Sequence, residues 1–318
     1  MKIVVLDGYC MNPGDLSWDA LREFGDVEVY DRTSAAEAAT RARGATAVLL
    51  NKTPLTADTL VRLPELKYIG VLATGYNVID VDAARGQHIT VTNVPTYGTA
   101  SVAQFVFALL LELCHQVKLH SDAVRSGEWS RHADWSFSKS PLIELAGKTM
   151  GVIGFGRIGR AVGRIADAMG MHVLANDTYQ GDPPAWPGFR WATVDELLRE
   201  SDVVSLHSPL FPETRGMIHA GSLALMKPSA FLINTSRGAL VVDRDLAEAL
   251  NAGRLAGAGL DVLTVEPPAE TNPLLAARNC LVTPHIAWAT HEARARLMDE
   301  VIGNISGFLS GNPRNVIK

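Results

Sequence analysis

The sequence has little of what marks secreted, membrane-spanning or nucleic-acid-binding chains. Only three cysteines, Cys10, Cys114 and Cys280, occur in 318 residues, far apart and without metal-ligand spacing. That argues against a disulfide framework and against a metal site, and for reduced thiols in a cytoplasmic compartment. No block of basic residues appears, and a formal net charge of −5 with a pI near 6.0 leaves nucleic acid and anionic membrane as poor partners. The apolar stretch Val102 to Leu113 is interrupted by Gln104 and Glu112 and is too short to span a bilayer. At the start, Met1-Lys-Ile-Val-Val-Leu-Asp7 meets an acid after only four apolar residues, which reads as a first strand rather than a signal peptide.

The hydrophobic fraction of 47% and charged fraction of 20% are those of a soluble globular protein, and 318 residues suffice for two domains with their own cores. Near the midpoint lies Gly151-Val-Ile-Gly154-Phe-Gly156-Arg-Ile-Gly159. Thr149 to Ile153 reads as a buried strand and Ile158 to Met169 as an amphipathic helix. Between them, Gly154 permits a tight turn, Gly156 a close approach to a pyrophosphate, and Gly159 close helix–strand packing. With 27 glycines, roughly 0.2 such motifs arise by chance in a chain of this length, so context must decide. The context is a second strand, His172 to Asn176, ending at Asp177, about twenty residues past the glycines, where an acid can take both hydroxyls of an adenosine ribose.

Before the fingerprint, apolar runs at Ile3 to Leu6, Val27 to Tyr30, Ala47 to Leu50, Tyr68 to Val71 and Ile89 to Val91 alternate with helical stretches. After it the rhythm returns, with strands expected at Val203 to Leu206, Phe231 to Asn234, Ala258 to Leu260 and Leu281 to Thr283. This is the βαβ pattern of parallel sheets. A long helical stretch from about Ala100 to Arg125 reads as a buried hinge or subunit-contact helix. Ser126 to Pro141, with Trp129, Trp135 and Phe137, reads as a loop that packs on a neighbouring subunit or covers its own core.

Three ionisable residues stand at or just beyond the ends of expected strands, where open α/β sheets bind ligands. Arg237, after Phe231-Leu-Ile-Asn-Thr-Ser236, can pair bidentately with a carboxylate. Glu266 precedes Pro267-Pro268, which stiffen the chain that holds it. His285 follows Leu281-Val-Thr-Pro284 and can exchange a proton near neutral pH. A nearby carboxylate favours imidazolium and orients the ring. With a nucleotide as hydride carrier, these are the parts needed to interconvert a 2-keto acid and a 2-hydroxy acid.

Together with Met226-Lys-Pro228, Asn234-Thr-Ser-Arg-Gly238, Gly259-Leu-Asp-Val262, Glu266-Pro267 and Pro284-His285, the fingerprint resembles the D-isomer-specific 2-hydroxyacid dehydrogenase family over essentially the whole chain. The resemblance implies an α/β fold of two Rossmann-like parallel-sheet domains. One is a discontinuous, flavodoxin-like substrate domain, residues 1–98 plus 287–318, and the other a central NAD-binding domain, residues 99–286. It implies Arg237 as substrate clamp, His285 as acid/base and Glu266 as its partner, in a homodimer. Asn51-Lys52-Thr53, Ala73-Thr-Gly-Tyr-Asn77, Val94-Pro-Thr-Tyr-Gly98, Ser101-Val-Ala-Gln104 and His285-Ile-Ala-Trp288 resemble the glycerate dehydrogenase (hydroxypyruvate reductase) branch. That branch implies Thr74 and Gly75 on the substrate carboxylate and Lys52 at the pocket edge. Thr99, Arg157, Ile158, His207, Pro209, Thr214, Thr235 and Asp261 fall where the family contacts its cofactor, beside Gly154, Gly156, Gly159, Asp177, Arg237 and His285. Asp177 would repel a 2′-phosphate, and Thr178-Tyr-Gln-Gly181 offers no cation to receive one, so NAD(H) is expected over NADP(H). Phosphoglycerate dehydrogenase is the rival within the family, and an NADH-sensing binding protein the rival outside it.

Overall fold

The computed structural model describes residues 1–317, which form two compact units. One is Met1–Gly98 with the segment from Ala289 onward, and the other is Thr99–Trp288.

The first unit is built on five parallel strands, β1 (Lys2–Val5), β2 (Asp26–Val29), β3 (Ala47–Leu50), β4 (Tyr68–Val71) and β5 (Thr90–Thr92), in the order β2-β1-β3-β4-β5. Every residue of β3 and β4 is buried, because helices cover both faces, and this is why both read as unbroken apolar runs. Strand order reverses between β1 and β3, which opens a crevice at their carboxyl ends. The helix His291–Leu309 belongs to this unit and starts at Thr290, whose hydroxyl accepts the Ala293 amide. Within its first turn Arg294 is only 7% exposed, and its guanidinium forks onto both oxygens of Asp15 at 2.6 Å each. That guanidinium holds the Asp15 carboxyl below the usual carboxylate range.

The second unit carries seven parallel strands, β6 (Thr149–Ile153), β7 (His172–Asn176), β8 (Phe189–Trp191), β9 (Val203–Leu206), β10 (Phe231–Asn234), β11 (Gly257–Leu260) and β12 (Cys280–Val282). Their order is β12-β11-β10-β9-β6-β7-β8, with the reversal between β6 and β9. Alternate residues feed two cores. Leu232, Val204 and Leu260 pack on one face, and Ile233, Phe231 and Val152 on the other, where they meet Val106, Leu109 and Leu110 of the helix Thr99–His115.

Three elements differ from expectation. The helix expected from Ala100 to Arg125 is two, Thr99–His115 and Val117–Arg125, bent by 53° at Gln116, whose φ of +44° breaks the helix without glycine or proline. No single helix among the described residues is long and apolar enough to cross a membrane; only that bent pair passes together, and its first member is packed into the second unit's core. Strand β8 was not expected, since a segment with four prolines or glycines precedes it in Asp182-Pro-Pro-Ala-Trp-Pro-Gly188. It is held at the sheet edge by a cluster of Phe155, Trp186, Phe189 and Trp191 rings, a tertiary cause. The aromatic segment after Arg125 contains the short helix Glu128–Arg131 and folds on itself, with Trp129 Nε1 donating to Trp135 O and Phe137 stacked on His132. Trp135 stays 87% exposed, so it does not cover the chain's own core.

Candidate active site

The turn after β6 is shaped by backbone approach. Gly154 has a φ of +90°, and a Cβ there would lie 2.6 Å from the His207 carbonyl carbon and from Ser208 N, at the end of β9. The glycine thus lets the two strands flanking the reversal meet at their carboxyl ends. A Cβ on Gly159 would strike Gly154 O at 2.1 Å, which fixes the helix Arg157–Ala168 against the turn. Gly156 is different, because a Cβ there would meet nothing within 4 Å. The protein's own packing does not require glycine at that position; an open space before the amino end of a 12-residue helix suits a pyrophosphate. Asp177 closes this corner, with Oδ2 accepting the Phe155 amide at 2.7 Å and Oδ1 the Tyr179 amide at 3.1 Å.

The loop after β9 carries His207, whose Nε2 shares a 2.8 Å hydrogen bond with Ser205 Oγ. Burial pushes this imidazole down to about 3, so it is neutral at physiological pH. In the same loop Thr214 Oγ1 donates to Pro209 O at 2.8 Å, which brings those two residues together. After β10, Thr235 Oγ1 is buried with no hydrogen-bond partner among the described residues. A buried hydroxyl left so is expected where a ligand completes its bonding. With the space at Gly156 and the Asp177 carboxylate, it makes this row of loops fit a dinucleotide.

Arg237 follows on a turn that Asn234 closes, its Nδ2 donating to Arg237 O at 2.9 Å and its Oδ1 accepting the Ser236 amide at 3.1 Å. Ser236 Oγ ties the turn to Ser208 O at 2.7 Å. The guanidinium is exposed and Nη1 donates to Ser236 O. Next to it, a Cβ on Gly238 would lie 1.9 Å from the Leu263 carbonyl carbon, so this chain runs directly against the backbone leading to Glu266. Leu263 N in turn donates to Glu266 Oε1 at 3.0 Å. The other carboxylate oxygen, Oε2, lies 2.6 Å from His285 Nδ1, with both side chains about one-third exposed (33% and 32%). Since a carboxylate only accepts, Nδ1 carries the proton and Nε2 is the nitrogen left for exchange with a ligand.

His285 has a φ of +55°, which costs a non-glycine residue on the order of 1–3 kcal/mol and is kept only where the surroundings impose it. Asp261 imposes it here. Its backbone oxygen accepts the His285 amide at 2.9 Å, while its carboxylate takes the Thr283 hydroxyl at 2.7 Å and the Ile286 and Ala287 amides at 2.9 and 2.8 Å. Burial pushes this carboxyl up, opposed by those bonds. At 1% exposure the Asp261 side chain is bonded to the loop that carries His285, a positioning part that sequence reasoning did not assign to it.

In the first unit, Lys52 follows β3 and is exposed between the buried Asn51 and Thr53. Thr74 and Gly75 follow β4; Thr74 Oγ1 donates to Val94 O at 2.8 Å, and Asn93 Nδ2 to Thr74 O at 2.7 Å. Sequence reasoning missed Gly238 as the spacer beside Arg237, although the Arg-Gly pair was in view.

Residues 107–287 match the family model for the D-isomer specific 2-hydroxyacid dehydrogenase NAD binding domain. The chain is 52% identical to a hydroxypyruvate reductase of Blautia hydrogenotrophica, over 100% of this chain and 99% of that one. Among solved structures, an acyclic imino acid reductase in complex with NADPH and D-Arg superposes with a TM-score of 0.86 at 34% identity, covering 100% of both chains. A D-lactate dehydrogenase from Aquifex aeolicus complexed with NAD and lactic acid gives 0.84 at 30%, over 98% of this chain and 96% of that one. The chain belongs to the D-isomer-specific 2-hydroxyacid dehydrogenase family. It is an oxidoreductase that uses a nicotinamide dinucleotide to interconvert small 2-keto acids and D-2-hydroxy acids.

Proposed function

We propose that this enzyme reduces hydroxypyruvate or glyoxylate to D-glycerate or glycolate with NADH, and catalyses the reverse oxidation. The observation that carries the chemistry is the 2.6 Å contact between His285 Nδ1 and Glu266 Oε2 at the carboxyl end of the sheet. NADH, when bound, supplies the hydride. As negative charge builds on the substrate's carbonyl oxygen, His285 gives it a proton from Nε2, and Glu266 stabilises the imidazolium before transfer. Arg237 fixes the substrate carboxylate through its planar fork of donors. Thr74 and Gly75 offer backbone amides to the same class of group, and Lys52 favours small polar acids at the pocket edge. The hydroxypyruvate reductase relative supports this choice of substrate.

The preference for NADH rests on Asp177, whose carboxylate would repel a 2′-phosphate on the adenosine ribose. One cation of the helix that follows the turn, Arg160, is engaged with the carbonyls of Gly181 and Asp182 at 3.0 and 2.8 Å. We expect kcat/KM for NADH to exceed that for NADPH by about 100-fold, and Asp177→Ser to narrow the gap. The measurement is dinucleotide oxidation with hydroxypyruvate, glyoxylate, pyruvate and 3-phosphohydroxypyruvate, run with each cofactor. Comparable values for the two cofactors would refute the preference, and highest kcat/KM on pyruvate or the phosphorylated acid would move the enzyme to another branch.

A homodimer in the cytoplasm is part of the same reading. Val117, Leu119, Val124, Trp129, Trp135 and Leu142 are exposed apolar side chains on one continuous segment, and a second copy would cover them. The thiols are free, with burial pushing Cys114 up to about 11 and Cys280 up to about 12, as suits packing groups in a reducing compartment. Sedimentation at the mass of one 34.2 kDa chain would refute the dimer, and cell fractionation reads the compartment.

A further inference from the structure

At the carboxyl end of β1, a second carboxylate is spent, like that of Asp261, on the backbone of another loop. Asp7 Oδ1 accepts the Asn51 amide at 2.6 Å, and Oδ2 accepts the Lys52 and Thr53 amides at 2.6 and 2.7 Å. Charge-assisted bonds of this kind are the stronger ones, and three of them converge on a single turn. The ladder between β1 and β3 ends at Val5 and Leu49, with Leu6 N adding a bond to Leu49 O, so the Asp7 bonds lie beyond the sheet itself. They hold the turn rather than the strand.

That turn sits where strand order reverses in the first sheet, the place at which open parallel sheets bind ligands. Asn51 and Thr53 are 6% and 3% exposed, and only Lys52 between them points its side chain to solvent. Asn51 Nδ2 donates to Leu72 O at 2.7 Å, two residues before Thr74, which is itself bonded to Val94. Asp7 therefore begins a set of polar bonds that links the ends of β1, β3, β4 and β5, and touches the two first-unit segments, Lys52 and Thr74, proposed for the substrate.

We propose that Asp7 is a positioning residue for substrate recognition: its carboxylate fixes the Asn51–Thr53 turn so that Lys52 is presented at one place to a small anionic keto acid. The inference rests on the reading of Lys52 as a pocket residue. Asp7→Asn keeps the shape of the side chain but turns an NH2 donor toward amide donors. KM for hydroxypyruvate should rise about tenfold, kcat should change less than about twofold, and KM for NADH should stay as it is. In the Lys52→Ala background the same substitution should add nothing further, because the two act through one contact. Asp7→Glu keeps the charge but carries it one methylene too far, and should give a smaller rise of the same kind; it stands in should Asp7→Asn not fold. An Asp7→Asn effect that persists in full with Lys52→Ala, or that falls on kcat and on KM for NADH, overturns the inference. Lys52→Ala alone with unchanged KM would overturn the underlying reading, and it is scored without any change at Asp7.

Discussion

Replacing His285 should lower kcat by about 10³-fold while NADH still binds, the loss expected when a positioned proton donor is removed. Asparagine is a better probe than alanine here. The residue occupies the left-handed region at a φ of +55°, which asparagine tolerates far better, so His285→Asn removes the imidazole with less disturbance of the loop. Both variants should titrate NADH as the native enzyme does, by quenching of intrinsic fluorescence. Turnover within a few-fold of native in either variant would take His285 out of the mechanism. Glu266→Gln should give an intermediate loss, since it keeps the bond's geometry but not the charge opposite Nδ1.

Gly238→Ala should destabilise the second unit by more than about 3 kcal/mol, beyond ordinary overpacking, because a Cβ 1.9 Å from a backbone carbon has no flexible neighbour to displace. The cheapest relief is separation of the Arg237 turn from the Leu263–Thr264 backbone. That backbone bonds Glu266, so kcat/KM should fall with stability. Thermal unfolding followed by circular dichroism checks the first effect and steady-state assay the second. Gly156→Ala is the contrast, since its Cβ meets nothing within 4 Å. It should unfold near the native temperature yet weaken NADH, whose phosphates need that space. A Gly238→Ala enzyme with native Tm and native turnover would mean that the two backbone segments are not locked together.

The strands were legible in the sequence wherever burial on both faces wrote an unbroken apolar run, as at Ala47–Leu50 and Tyr68–Val71. Strand β8 was not, because its reason to exist is a ring cluster assembled from residues as distant as Phe155 and Trp191. The bend at Gln116 was hidden for a related reason, since a residue with no local turn signal adopts a left-handed φ. Candidate chemistry was legible in the sequence where a residue type suited to a task stands just past an expected strand, as with Arg237 and His285. The residues that hold such groups in place were not. Asp7 was seen only as an acid ending an apolar run, and Asp261 only as a cofactor contact, although each spends its carboxylate on backbone amides of a different loop. Bonds of that kind have no periodicity and no fixed spacing, so they become visible only in three dimensions.

The order of the seven-stranded sheet has an evolutionary consequence. Gly156 and Asp177 hang from β6 and β7 on one side of the reversal, while Arg237, Glu266 and His285 hang from β10, β11 and β12 on the other. Lys52 and the Thr74–Gly75 segment lie on a different sheet altogether. On the proposed assignments, the phosphate and ribose contacts at Gly156 and Asp177, the proton-transfer pair with the Arg237 clamp, and the pocket edge at Lys52 are thus inherited on separate stretches of chain. Drift in one can be tested by selection without disabling the others, which suits such a scaffold to diversify into reductases for many small acids.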